Sequence, residues 1–401
     1  MLIHKIEKCF FENVTSHQKE VMIADFDKNE NGDIVIPYTH KGYDVNNRQI
    51  EFRSDIKAIS MFSGAGGLDI GAQLAGVKVL SSLDIFEDSV ETIRNNKFFK
   101  DAVHEVGDIK QLNGTHYEEL LSKENPEKLI IIGGPPCQPF SKAGYWVTNE
   151  KRNSSEDPRN LIVPYFQMIE DLQPDGFVLE NVESILHPSN RRAVETIYEN
   201  MERLGYKYVV LKINAAEYGI PQKRKRVFFL ASKKEIHANL VKTHGSSKEI
   251  LVNNQLLPYE RVIDWIGKFD IPRYYCGEKL AIEGKWAHEL TCVPFGKNYI
   301  ALSEREHYPN PVFVAGKRYW SSLLKLHPLQ PSWTIIASPG HWEGPFHWKN
   351  RRLSVRELAA IQTFPDDYIF YGSTYSQHKQ IGNAVPPLLA KKVVEELCKW
   401  L

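Results

Sequence analysis

The chain has 401 residues, too many for one simple core, so two domains are the natural expectation. Apolar residues make up 42% and charged residues 25%, an ordinary globular composition, and no apolar run approaches the roughly 18–20 residues that span a bilayer. The formal net charge of zero gives no support to nucleic-acid binding, although a balanced total can hide a basic face.

The N-terminus, Met1-Leu2-Ile3-His4-Lys5, lacks a signal-peptide core, and a cytoplasmic location is expected. Residues 1–55 carry only short patterns such as Asp33-Ile34-Val35-Ile36 and read as an extension of unknown role. From Lys57 the pattern is regular. Ala58–Phe62 is a buried-strand candidate, followed by a glycine-rich turn and a helical stretch, Leu68–Ala75. Val77–Leu83 repeats the strand signal, and Asp88–Phe98 reads as a helix. Further apolar runs follow at Leu129–Ile132, Phe177–Leu179, Tyr208–Ile213 and Val227–Leu230, with helical stretches between several of them. This alternation predicts an α/β fold with a doubly wound, mostly parallel sheet. After Ser232 the rhythm stops. Residues 233–345 read as a second, smaller, irregular domain; six of the eight tryptophans lie between 265 and 348, and most of them are expected in the core. Helical patterns return at Val355–Thr363 and Pro386–Leu397.

Several motifs carry chemistry. Gly133-Gly-Pro-Pro-Cys137-Gln-Pro-Phe-Ser141 sets a stiffly held cysteine after one apolar run, and Glu180-Asn181-Val182 sets a carboxylate at the end of the next. In a parallel sheet both strand ends open onto one crevice, where a thiol and an acid can attack and protonate one substrate. A lone cysteine is usually a small buried hydrophobe, but packing does not explain one set between two prolines and Gln-Pro. A zinc deaminase, tested on His116-Tyr117-Glu118 with Pro136-Cys137, fails because Phe140 stands where the second cysteine is required. The five cysteines form no Cys-x-x-Cys pair, so neither a disulfide framework nor a metal site is expected.

The loop Phe62-Ser63-Gly64-Ala65-Gly66-Gly67 opens a helix and suits close approach of a ligand to the backbone, or is a plain strand–helix turn. Asp69 stands where the dinucleotide fingerprint needs its third glycine, which disfavours a nicotinamide cofactor. Asp84 ends the second strand, where an acid suits ribose hydroxyls or serves as an N-terminal helix charge. In Gln222-Lys223-Arg224-Lys225-Arg226, alternation is expected to put Arg224 and Arg226 on one face of an extended segment.

Taken in order, these residues resemble the cytosine-C5 DNA methyltransferases, over roughly Ile56–Ser232 and again Arg351–Leu401. Two later stretches add to the likeness: Arg352–Glu357 with Gln362-Thr-Phe-Pro365, and Gln380-Ile-Gly-Asn383-Ala384-Val-Pro386. The resemblance implies the S-adenosylmethionine-dependent methyltransferase fold, with no metal. It implies cofactor contacts at Phe62, Gly64, Gly66, Gly67, Asp84, Ile85, Asp108, Ile109, Pro135, Asn383 and Ala384. It makes Cys137 the nucleophile on carbon 6 of a flipped cytosine and Glu180 the partner of ring nitrogen 3. Arg224 or Arg226 would hold the nucleotide. The implied division is 1–55, an extension; 56–232, catalysis and cofactor; 233–345, target recognition, with Lys297, Lys317 and Arg318 as candidates; and 346–401, a segment returning to the catalytic domain. A bacterial restriction–modification enzyme is expected, cytoplasmic and nucleoid-associated. It would be a monomer acting on double-stranded DNA, with a cognate endonuclease on the same sequence. Two alternatives remain open: a tRNA cytosine methyltransferase, whose Cys-Phe-Thr stretch is not found here, and an inactive DNA-binding relative.

Overall fold

The computed structural model describes residues 2–53, 55–136, 161–316 and 319–401. Cys137, Lys317 and Arg318 therefore lie outside the described residues. The chain opens with three strands, β1 (Leu2–Ile6), β2 (Asp27–Lys28) and β3 (Ile34–Tyr38), joined in an antiparallel sheet of order β1-β3-β2, with helix α1 (Ser16–Ile23) between the first two.

The central sheet has seven strands: β4 (Ile56–Met61), β5 (Lys78–Asp84), β6 (Val103–Val106), β7 (Lys128–Gly133), β8 (Gly176–Val182), β9 (Lys207–Asn214) and β11 (Lys225–Ser232). β10 (Gln222–Lys223) lies outside it, paired with the short strand Ser332–Trp333. The order is β6-β5-β4-β7-β8-β11-β9. Strands β4 to β8 run parallel, and β11 runs antiparallel to both β8 and β9. The order reverses between β4 and β7, so the crevice outside their carboxyl ends is the expected ligand position.

Helices cover both faces, as the unbroken apolar runs of the strands require. On one face α2 (Gly67–Leu74) packs with the last helix of the chain over Ala58, Ile130 and Val178. Gly71 permits this approach, because a Cβ there would strike Ala390. After α3 (Glu87–Arg94) and α4 (Glu118–Glu124), the other face is covered by α5 (Ile162–Leu172) and α6 (Arg191–Arg203) over Ile131, Phe177 and Phe229.

Residues 233–345 hold short helices, α7 (Ser247–Val252), α8 (Val262–Ile266) and α9 (Ala287–Cys292), and two-residue strands among turns. Of their tryptophans, Trp265 is buried, Trp286, Trp333 and Trp342 are half-buried, and Trp320 is 43% exposed. The expectation that most are core therefore needs correction: three are only partly buried and one is exposed. Trp348, just beyond this region, is fully buried.

The chain returns to the sheet through α10 (Val355–Ile361), α11 (Thr374–Asn383) and α12 (Pro387–Cys398). α10 starts with a capping box in which Ser354 and Glu357 satisfy each other's backbone N–H groups. One apolar cluster joins Ile36 and Val45 of the N-terminal segment to Trp265, to Phe364 and Tyr368, and to Ile93 and Phe99 beside the sheet. Among the described residues the four cysteines are free, and no helix is long and apolar enough to cross a membrane.

Candidate active site

A cavity of about 560 Å³ opens at the carboxyl ends of β4, β5, β7 and β8. Its wall brings together residues far apart in sequence: Phe62 and Gly64 after β4, Asp84 and Ile85 at the end of β5, Asp108 and Ile109 after β6, Pro135 after β7, and Asn383 with Ala384 at the end of α11. Glu180, Asn181 and Arg226 line the same cavity.

The loop after β4 is bent sharply enough that Phe62 itself adopts φ +57°. Gly64, at φ +51°, has open space where a Cβ would project, so a ligand can lie against its backbone. Gly66 and Gly67 do different work. Gly66 caps α2 at φ +77°, and a Cβ there would stand 3.1 Å from the Tyr368 hydroxyl, away from the cavity. Gly67 lines the cavity, but its missing side chain makes room for the Val385 carbonyl.

Asp84 accepts hydrogen bonds from the Gly64 N–H at 2.7 Å and the Phe86 N–H at 2.9 Å. Burial pushes its pKa above the ordinary carboxylate value, against the pull of those N–H groups. Asp108 accepts from the Lys110 N–H at 3.0 Å and caps a short turn containing Ile109. No pattern in the sequence marks Ser63, whose buried hydroxyl has no hydrogen-bond partner among the described residues and sits on the cavity wall. The same holds for Lys379, which lies over the exposed Phe86 ring at 4.2 Å on the cavity rim. Proximity of α11 to the end of β5 is not a local property of either segment, so no sequence signal marks Lys379.

An unpartnered hydroxyl, a buried acid braced by backbone amides and an uncovered glycine fit a polar, adenosine-containing cofactor, S-adenosylmethionine. Phe62, Asp84 and Ile109 would hold it.

The opposite side of the cavity is built from β7, β8 and β11. The Asn181 side-chain amide donates to the Pro135 carbonyl at 3.2 Å and so fixes the strand exit that leads to residue 137. Gly134 passes so near that a Cβ would lie 3.0 Å from Glu180 Oε2. Because β11 is antiparallel to β8, its first residues meet the last residues of β8, and Arg226 pairs in register with Val182. The Arg226 guanidinium donates to Glu180 Oε1 at 2.8 Å, with both side chains only 12% exposed. Burial lowers the pKa of Arg226, and the Glu180 carboxylate opposes that.

Arg224 departs from the expectation that it shares a face with Arg226. Its guanidinium is fully buried and donates to the Gly382 carbonyl at 2.9 Å and the Ile335 carbonyl at 3.4 Å. The break between β10 and β11 falls at this residue, so simple alternation fails there. Gln222 sits beside it, accepting from the Ile335 N–H at 3.1 Å. Together they clasp the returning C-terminal segment against the sheet.

Comparison with known proteins gives the family. A family model described as C-5 cytosine-specific DNA methylase matches residues 56–399. The type II methyltransferase M.SacI of Streptomyces achromogenes is 32% identical over 373 residues, covering 86% of this chain and 94% of the relative. The type II methyltransferase M1.HphI of Haemophilus parahaemolyticus is 35% identical over 351 residues, covering 85% and 86%. Among solved structures, a DNA modification methyltransferase encoded within an E. coli prophage aligns with a TM-score of 0.58 at 22% identity, over 86% of this chain and 99% of that one. Spodoptera frugiperda DNMT2 aligns at 0.55 and 17%, over 86% and 100%. Those two likenesses are of fold. The family match spans both halves of the cavity wall, and the chain belongs to the C-5 cytosine-specific DNA methylases, enzymes that transfer a methyl group from S-adenosylmethionine to carbon 5 of cytosine in DNA.

Proposed function

We propose that the chain methylates one cytosine in a specific double-stranded DNA sequence, with the base flipped out of the helix and held by a transient bond to Cys137. The observation that carries this reading is the Glu180–Arg226 pair, which faces the same cavity as the cofactor residues and adjoins the Pro135-Pro136 exit. Carbon 5 of cytosine is a poor nucleophile. Attack of the Cys137 thiolate on carbon 6 makes carbon 5 enamine-like. Glu180 hydrogen-bonds to ring nitrogen 3 and draws off the developing charge, while Arg226 holds Glu180 in place and faces the nucleotide. The bound cofactor supplies an electrophilic methyl group. Loss of the carbon-5 proton and of the cysteine then restores the ring. Carbon 5 and carbon 6 are out of reach inside a duplex, which is why flipping is required.

Residues 233–345 are proposed to read the target, with phosphate contacts holding the duplex and making affinity salt-dependent. The named relatives are type II methyltransferases. A cognate endonuclease acting on the same sequence and a monomeric enzyme are the matching proposals here. DNA carrying 5-fluorocytosine tests the chemistry, because fluorine cannot leave as a proton. The wild type should form a covalent adduct that maps to Cys137, and Cys137→Ser should form none while still binding S-adenosylmethionine. An adduct on another cysteine would overturn the assignment.

A further inference from the structure

Residues 39–46 contain no strand or helix, yet they are tied to two separate parts of the molecule. One end is fixed to residues 233–345. The Thr39 N–H donates to Asp264 Oδ1 at 2.8 Å, and the Lys41 ammonium donates to both carboxylate oxygens of Glu260 at 2.6 Å. The Lys41 carbonyl accepts from the Lys268 ammonium at 2.6 Å. The other end is fixed beside the sheet. The Val45 and Asn46 N–H groups donate to the two oxygens of Asp367 at 2.9 and 2.8 Å. The Asn46 side chain donates to Asn96 Oδ1 at 3.1 Å and accepts from the Phe98 N–H at 3.2 Å, just past α3.

Midway, Gly42 adopts φ +146°, and its Cα lies directly on an ion pair between Lys268 and Asp366. A Cβ at this position would collide with both charged groups. That pair itself bridges residues 233–345 to the returning C-terminal segment. The glycine is what lets the backbone lie across the bridge.

We propose that residues 39–46 are a strap that sets the position of residues 233–345 relative to the cofactor cavity, and that Gly42, Lys41 and Asn46 are positioning residues for DNA methylation. The proposal rests on reading residues 233–345 as the DNA-recognising part. The duplex must be held by that part while one of its bases occupies the cavity, so an error in the spacing of the two weakens the grip on DNA that spans both. None of the strap residues lines the cavity, so cofactor binding is separable from the strap's role. The family match begins at residue 56, which places the strap outside the part of the chain that the family model describes.

The test uses the full chain with unmethylated bacteriophage DNA. Gly42→Ala and Lys41→Met should each lower kcat/KM for DNA by about 10-fold or more, equivalent to about 1.4 kcal/mol of lost binding to the duplex. The change should fall mainly on KM for DNA. The dissociation constant for S-adenosylmethionine, measured by calorimetry, should stay at the wild-type value. Lys41→Arg, which keeps the charge on Glu260, should restore KM. Folded variants with wild-type KM for DNA would overturn the strap, as would a loss of cofactor affinity that parallels the loss of methylation. If Gly42→Ala does not fold, the Lys41→Met and Lys41→Arg pair decides alone, because that side chain is 41% exposed. Exchange of residues 233–345 with those of a relative tests the underlying reading separately. A chimera that keeps its original target would sink the recognition assignment, whereas an unchanged KM would sink the strap.

Discussion

Residues 56–232 bury their apolar side chains against the two faces of one sheet, whereas residues 233–345 have only short helices and two-residue strands and are tied down by charged groups. In the first region the backbone satisfies itself, strand to strand, and side chains are free to face the cavity. In the second, scattered backbone bonds and single bridges stand in for a long ladder, and polar side chains add clasps. Glu260 accepts from Lys41 and from the Trp265 indole, and Asp264 accepts from Thr39 and Arg261. Arg351 bridges Asp270 and Glu357 at the edge of the region. A sheet holds reacting groups to within a few tenths of an ångström, which chemistry needs. Loops held by polar clasps can change their surface without disturbing a ladder.

The contrast can be broken or sharpened by experiment. The largest effect is expected from exchanging residues 233–345 for those of a relative with a known target. The methylated sequence, read by bisulfite sequencing, should change completely while the chemical rate is retained. Retention of the old target would move recognition into the sheet half. On the sheet side, Glu180→Gln should slow single-turnover methylation by about 10²-fold or more, the usual scale for losing an acid–base partner. Wild-type speed would count against the acid assignment.

Electrostatics should distinguish the two regions in acid. Burial alone would raise the pKa of Glu260, but hydrogen bonds from His244, Lys41 and Trp265 overcome it and hold the group at about 2, below its ordinary 4.5. A depressed carboxylate pKa stabilises the fold above pH 4.5, and that stability is lost as pH falls through about 2. Glu260→Gln should therefore cost roughly 2–3 kcal/mol near neutral pH, allowing for solvent screening, with the difference from wild type closing in acid. A gap that persists unchanged at pH 2 would show that packing, not charge, holds the clasp. The smallest effect is expected in the cofactor wall. Asp84→Ala should weaken S-adenosylmethionine binding by roughly 1–3 kcal/mol, the range for losing one buried polar partner. Calorimetry with unchanged affinity would place the cofactor elsewhere in the cavity.

Much of the sheet half was legible in the sequence because its signals are local. Ile130, Ile131 and Ile132 form an unbroken apolar run, which suits a strand covered on both faces, and they are fully buried in β7. The Pro135-Pro136 and Glu180-Asn181 motifs follow such runs, so the crevice they share followed from the parallel order alone. Arg224 was misread because alternation presumes one continuous strand, and the strand is interrupted at that residue. The tryptophans of residues 233–345 were misread for a related reason: an aromatic-rich stretch without periodicity says that surface will be buried but not which face.

The amino-acid sequence by itself determined the order of the strands and helices and the residues at the strand ends, because each depends on neighbours within about twenty positions, and the ordered motifs at those ends indicated the class of chemistry. Only the tertiary structure decided which distant groups meet. It placed Lys379 beside Phe86, turned Arg226 rather than Arg224 toward Glu180, and tied Thr39 to Asp264, 225 positions further along the chain. Those contacts arise from closing long loops around a common apolar core, and no local pattern encodes the partner at the far end.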